Sequence, residues 1–249
     1  MLQFFDTLQA VWHLLVDRDP TLAAIVVRSL GVSASATVLA TLLGFPIGAV
    51  LGVAQFRGRG LLMALLNSAL AVPSVVIGLL IYVLLSRNGP LGMLGWLFSL
   101  KAMVLAQTIL VAPLVMALTC QLVRDADRAH GAQFEVLGAR TLMRSGLWLW
   151  DQRHALVLIA LTAFGRAISE VGAVMVVGGN IEGFTRVMTT AIALETSKGD
   201  LPMAMALGCV LLAVVVCLNL LLALGRHLQH RNDWAHRKPW SVAGNGNLG

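Results

Sequence analysis

Apolar residues are concentrated in five blocks, about Ser29 to Ala54, Leu61 to Leu85, Lys101 to Leu122, Ala155 to Val177 and Met203 to Leu224. Each is long enough for the ~20 residues an α-helix needs to cross ~30 Å of hydrocarbon. In lipid the backbone groups must be satisfied within each segment, which predicts helices rather than open strands. Two further segments are too polar to span and too apolar to be plain loops. Near the start, Phe4, Leu8, Val11, Trp12 and Leu15 recur at helical spacing opposite Asp6, His13 and Asp17, the pattern of a helix lying in the membrane interface. Between the fourth and fifth blocks, Gly178, Gly179 and Asn180 break the helix. Thr185 to Thr196 then reads as a re-entrant or surface helix, ended by Lys198, Gly199, Asp200 and Pro202.

Within the blocks, small and bending residues follow helical spacing. Gly44, Gly48 and Gly52 repeat every four residues beside Pro46, which lets backbones approach closely. Asn67, Ala71, Ser74 and Gly78 share one face of the second block, where Pro73 predicts a bend, and Pro113 does the same in the third. Helix packing accounts for these positions. Some of the faces could equally line a watery passage, because polar groups at that depth need a partner or water.

Composition agrees with the pattern. The chain is 58% hydrophobic and 12% charged, against roughly 25% charged in soluble domains, so one integral membrane domain is expected, at 25–226. Residues 1–24 are expected to form the interfacial helix and 227–249 a disordered cytoplasmic tail. The net charge of +6 lies in short loops and tails rather than on a polar face, which argues against nucleic acid. Lys and Arg distribution instead sets topology. With the N-terminus outside, eleven basic residues, Arg57, Arg59, Arg124, Arg128, Arg140, Arg144, Arg153, Arg226, Arg231, Arg237 and Lys238, lie inside. Six lie outside, Arg18, Arg28, Arg87, Lys101, Arg186 and Lys198, so the multi-pass chain is expected N-out and C-in. The first twenty residues lack the pattern of a cleaved signal peptide.

The chemistry visible in the chain excludes several classes. Cys120, Cys209 and Cys217 lie in apolar runs without the paired spacing of zinc or redox sites, and the six histidines form no HExxH or facing pair, so no metal site is expected. No nucleophile–base pair marks a membrane enzyme, and no GxxxxGK[ST] motif marks an ATPase. Arg166 and Glu170 stand one turn apart inside the fourth block and are expected to pair or to face a watery cavity, with an anion-attracting role for Arg166 as the sharper reading. Gly178 and Gly179 could offer backbone N–H groups to an oxyanion, or merely end a helix. Thr189 and Thr190 could line an outer gate, or cap backbone carbonyls.

The inner stretch 123–154 is far longer than the turn 55–60 and can fold by itself. Ala132, Gln133, Phe134, Leu137, Gly138, Ala139 and Arg140 suggest a short helix, a glycine turn and a second short helix reaching Trp148 and Trp150. Those two tryptophans suit either a partner's groove or an interfacial belt. This stretch resembles the "EAA" coupling loop of the permease subunits of ATP-binding-cassette importers, with Gly138-Ala139 at its Gly-Ala pair and Ala132-Gln133-Phe134 in place of the triplet. Phe164 to Ala173 resembles the "RALGEFGA" segment of the sulfate, molybdate and tungstate permeases, and Val176 to Gly199 looks most like the tungstate branch.

The resemblance runs from about Ser29 to Gly225. It implies an all-α membrane protein of about five transmembrane helices plus interfacial helices, in the type I (MetI-like) importer permease fold. It also implies a homodimer in the bacterial inner membrane, two copies of an ATP-binding-cassette ATPase on the coupling loops, and a periplasmic or lipid-anchored protein delivering the oxyanion. This chain would carry no cofactor, since ATP and Mg would sit on the partner subunit. Tungstate is the expected cargo, with molybdate or sulfate as alternatives. A secondary transporter driven by an ion gradient is the competing class, and no convincing inverted repeat favours it.

Overall fold

The computed structural model describes residues 20–136 and 138–236, without the side chains of Ala132, Glu135, Val136 and residues 226–236. The N-terminal interfacial helix expected at 1–24 falls almost wholly outside this range. Nine α-helices and one 3₁₀ turn are found among the described residues. They are α1 (Pro20–Val53), α2 (Arg59–Ala71), α3 (Ser74–Leu85), the 3₁₀ turn Gly92–Leu94, α4 (Leu100–Val136), α5 (Thr141–Asp151), α6 (Arg153–Ile168), α7 (Gly172–Gly178), α8 (Met188–Lys198) and α9 (Leu201–His236).

Three of these, α1, α4 and α9, are long and apolar enough to cross a membrane singly, and two bent pairs bring the number of spans to five. The pair α2–α3 bends by 96° and the pair α6–α7 by 60°. The first bend lies where Pro73 removes a donor and holds the chain extended, at φ −60° and ψ 129°. The second was not legible as a bend: Ala155 to Val177 reads as one continuous apolar span, yet the helix opens at residues 169–171.

The long helices hold the centre. Along α1, a Cβ on Gly44 would meet Val115 Cγ1 at 2.6 Å, one on Gly48 the carbonyl oxygen of Met116 at 2.7 Å, and one on Gly52 Val123 Cβ at 2.9 Å. The four-residue glycine repeat therefore seats α4 against the backbone of α1 over three turns. Pro46 and Pro113 both lie inside continuous helices, so neither interrupts its span.

The outer face is lipid-like. Leu42, Leu43, Leu79, Leu80, Leu212 and Leu220 are among its exposed apolar side chains. Cys209 and Cys217 are exposed on α9 and Cys120 is buried, all three as free thiols.

Two expectations change. The short helix before Gly138 is the end of α4, which runs unbroken for 37 residues, about 55 Å at 1.5 Å per residue, and so outreaches a bilayer. Pro113 and Gly131 both lie within α4 and neither ends it. Similarly, α9 continues to His236, so 227–236 is helical where a disordered tail was expected. Neither Gly nor Pro follows Gly225 until Pro239. Residues 237–249 lie outside the described part.

Candidate functional site

The two bends meet. A Cβ on Gly172 would lie 2.6 Å from Val75 Cγ2 and 2.9 Å from Ser74 Oγ, and one on Gly78 would lie 2.7 Å from Ala173 Cα. Only glycines let α3 and α7 approach this closely, so the second halves of both broken spans pack as one pair. At their junction Glu170 is buried, with 5% of its side chain exposed. Its Oε2 accepts from Arg166 Nη1 at 2.7 Å, and its Oε1 accepts from the Ala173 N–H at 3.3 Å. The Ser74 hydroxyl lies beside the same carboxylate. Glu170 thus stands in for the intrahelical partner that Ala173 loses at the break, and its negative charge sits at the start of α7, where it is favoured.

Other elements hold the break open. Thr189 of α8 donates from Oγ1 to the Glu170 carbonyl at 2.8 Å. Gln107 of α4 donates from Nε2 to the Ala167 carbonyl at 3.0 Å. A small cavity beside them is lined by Ser29, Ser33, Gln107, Glu170 and Thr189, and Gln107 Oε1 is buried there without a donor from the described residues. The cavity has room for about one water molecule, so a tetrahedral oxyanion does not pass through it in this conformation.

Ser74, Arg166, Glu170 and Thr189 are therefore brought together, while Asn67 is not: it is exposed on α2, among residues of which none is buried. Arg166 keeps 47% of its side chain exposed, so the pair presents its cation outward and hides its anion. Gly178 and Gly179 close α7, with Gly179 at φ 68° against the Phe98 ring. The Gly178 carbonyl accepts from Thr185 Oγ1.

Helix α8 is not a surface helix, because Met188, Thr189, Thr190 and Ala191 are all buried. Thr190 caps its start, with Oγ1 accepting from the Val187 N–H at 3.2 Å. Asn180 Nδ2 donates to the Thr190 carbonyl. From α1, Arg28 donates to the carbonyls of Gly183 and Arg186 at 2.8 and 3.0 Å, and Ser29 Oγ accepts from the Met188 N–H at 2.6 Å. Gln107, Arg28 and Ser29 were missed by sequence reasoning. Their only signal was a polar residue in an apolar helix, which does not say what it bonds.

At the other end of the bundle, Gly138 adopts φ 66°, and the chain turns into α5. Gln133, Gly138 and Arg140 are exposed, and Ala139 is half-buried. Phe134 is also half-buried, its ring edge-on to Trp148 at 5.3 Å between centroids. Leu137 and the side chain of Ala132 lie outside the described residues. The two tryptophans part company. Trp148 is in the core with Ala49, Val53 and Val123, whereas Trp150 is 74% exposed with the Arg153 guanidinium over its ring at 5.3 Å. Leu142 and Met143 are exposed beside it, so one face of α5 is clamped and the other is apolar and open.

No protein-family model matches the chain. Individual relatives do. The tungstate uptake system permease protein TupB of Peptoclostridium acidaminophilum is 43% identical over 211 residues, covering 85% of this chain and 92% of the relative. The family of ABC-importer permeases for tungstate and related oxyanions includes this chain. A probable anion ABC transporter permease of Haloferax volcanii is 39% identical over 84% of this chain and 91% of its own length. The tungstate uptake permease of Campylobacter jejuni is 36% identical over 86% and 90%.

As a member of that family the permease is a membrane subunit of an importer that works with an ATPase and a binding protein. In this permease the break beside the buried Glu170 and the short helix α7 lie toward the Leu100 end of α4, and the Gly138 turn with α5 lies at the opposite end of that helix.

Proposed function

We propose that this permease carries tungstate across the inner membrane of a bacterium as a homodimer, N-terminus outside and C-terminus inside. ATP and Mg bind to a separate ATPase subunit, two copies of which dock on the segments running from Gln133 to Asp151. A periplasmic or lipid-anchored protein delivers the anion to the end that carries the 86–99 and 179–187 loops. The observation that carries this reading is the exposed apolar strip of α5, Leu142, Met143 and Trp150, held on a helix that outreaches the bilayer.

Tungstate is favoured over molybdate and sulfate because relatives at 43% and 36% identity bear that name. Arg166, Glu170, Ser74 and Thr189 lie at the hinge of the pathway, Gly178, Gly179 and Thr190 close its outer end, and Asn67 faces the dimer partner or the lumen. ATP-driven closure of the motor would move α5 with α4 and change the angle between the halves of the bent spans.

The test is ATP-dependent uptake of tungstate, molybdate and sulfate by the permease reconstituted with the ATPase and binding protein encoded beside it. Vanadate-sensitive tungstate uptake that survives a protonophore supports the reading. Uptake that a protonophore abolishes and vanadate leaves intact would sink it.

A further inference from the structure

The geometry points to Asp127 as a positioning residue that couples α5 rigidly to α4, so that a push on α5 tilts the transmembrane bundle rather than bending the Gly138 turn. The inference rests on the reading that the ATPase docks on α5.

Asp127 lies on the part of α4 that projects beyond the apolar span. Its Oδ1 and Oδ2 each accept from Arg144 Nη2 at 2.8 Å, and Oδ1 also accepts from Trp148 Nε1 at 2.9 Å. Arg144 and Trp148 are one turn apart on α5, so a single carboxylate takes hold of one whole face of that helix. The ion pair is sheltered, with 13% and 15% of its two side chains exposed, which keeps it from being screened away as a surface pair is. Gly131 makes room for it: a Cβ there would lie 2.9 Å from both Arg144 Nη2 and Asp127 Oδ1.

Around the ion pair, Trp148 is buried with Val53 at the end of α1 and Val123 on α4. The clamp therefore reaches two of the three long spanning helices. By contrast, the covalent route from α4 to α5 runs through Gly138 at φ 66°, the backbone type that tolerates rotation most easily. Two routes join the helices, and only the side-chain route is stiff. Nothing else is asked of Asp127, which stands far along α4 from Gln107 and the break at Glu170 and off the open face of α5.

The experiment uses the full permease assembled with its ATPase and binding protein in proteoliposomes, comparing the native chain, Asp127→Asn, Asp127→Glu and the open-face variant Trp150→Ala. Co-purification of the ATPase, phosphate release from ATP and tungstate import are read together. Asp127→Asn keeps the shape and an acceptor for Trp148 but removes the charge that holds Arg144. The expected result is normal co-purification, ATP hydrolysis within about twofold of native, and tungstate import per ATP reduced by about tenfold, the scale of one charge-assisted hydrogen bond. Asp127→Glu recovers part of that ratio.

Import per ATP that stays native in Asp127→Asn overturns the clamp. Loss of ATPase co-purification in that variant also overturns it, because Asp127 would then only shape the docking surface. Native ATPase binding by Trp150→Ala, together with full coupling, would instead count against docking on α5, and a native complex that takes up no tungstate would overturn the transport reading itself.

Discussion

Gln107 on α4 donates its side-chain amide to the carbonyl of Ala167, two residues before the α6–α7 break, at 3.0 Å. The contact ties the unbroken helix α4 to the 60° bend between α6 and α7, and it adds to the Glu170 N–H as a donor to a carbonyl that has lost its usual intrahelical partner. Together with Thr189 on the Glu170 carbonyl and Glu170 on the Ala173 N–H, it makes the kink a built feature.

Gln107→Leu keeps a similar volume but removes the donor. The Ala167 carbonyl keeps the Glu170 N–H at 3.1 Å, so with Gln107 only 3% exposed the lost bond should cost about 0.5–1.5 kcal/mol, seen as a lower unfolding temperature of the detergent-solubilised permease. A variant as stable as the native protein would mean that the Glu170 N–H satisfies this carbonyl by itself.

The Arg166–Glu170 pair is asymmetric, so its two members should respond differently. Arg166 is half-exposed, and Arg166→Gln should cost no more than about 1 kcal/mol after allowance for screening. Glu170→Ala removes the acceptor of both Arg166 and the Ala173 N–H, and should cost about 2–3 kcal/mol. Tungstate uptake per assembled complex should be unchanged in Arg166→Gln. A large drop with intact assembly would make the guanidinium a contact of the anion.

Close packing of α3 against α7 sets a third expectation. Gly78→Val pushes a side chain into Ala173 Cα and should destabilise by about 1–3 kcal/mol or more, with loss of assembled protein on size-exclusion chromatography. Gly60→Ala, where nothing lies within 4 Å of the added Cβ, should assemble normally. Equal behaviour of the two would refute the packing argument.

Topology can be read with an impermeant thiol reagent on intact cells. Asn88→Cys should be labelled from outside, and Arg140→Cys only after the cells are opened, both positions being exposed. Labelling of Arg140→Cys in sealed cells would invert the orientation and leave α5 out of reach of a cytoplasmic motor.

The sequence by itself determined the solvent, the five crossings, the bend at Pro73, the glycine-lined seam of α1 and the placing of Arg166 and Glu170 one turn apart. These are local or periodic properties, carried by run length, by proline and by spacing along one helix. Only tertiary structure decided the rest. The break at residues 169–171 depends on donors from α4 and α8, Trp148 is buried because Phe134 and α1 close over it, and Asp127 acquires its partners from a helix that folds back after Gly138. Each of these joins residues distant along the chain, and a polar side chain in an apolar run does not name the group it will meet.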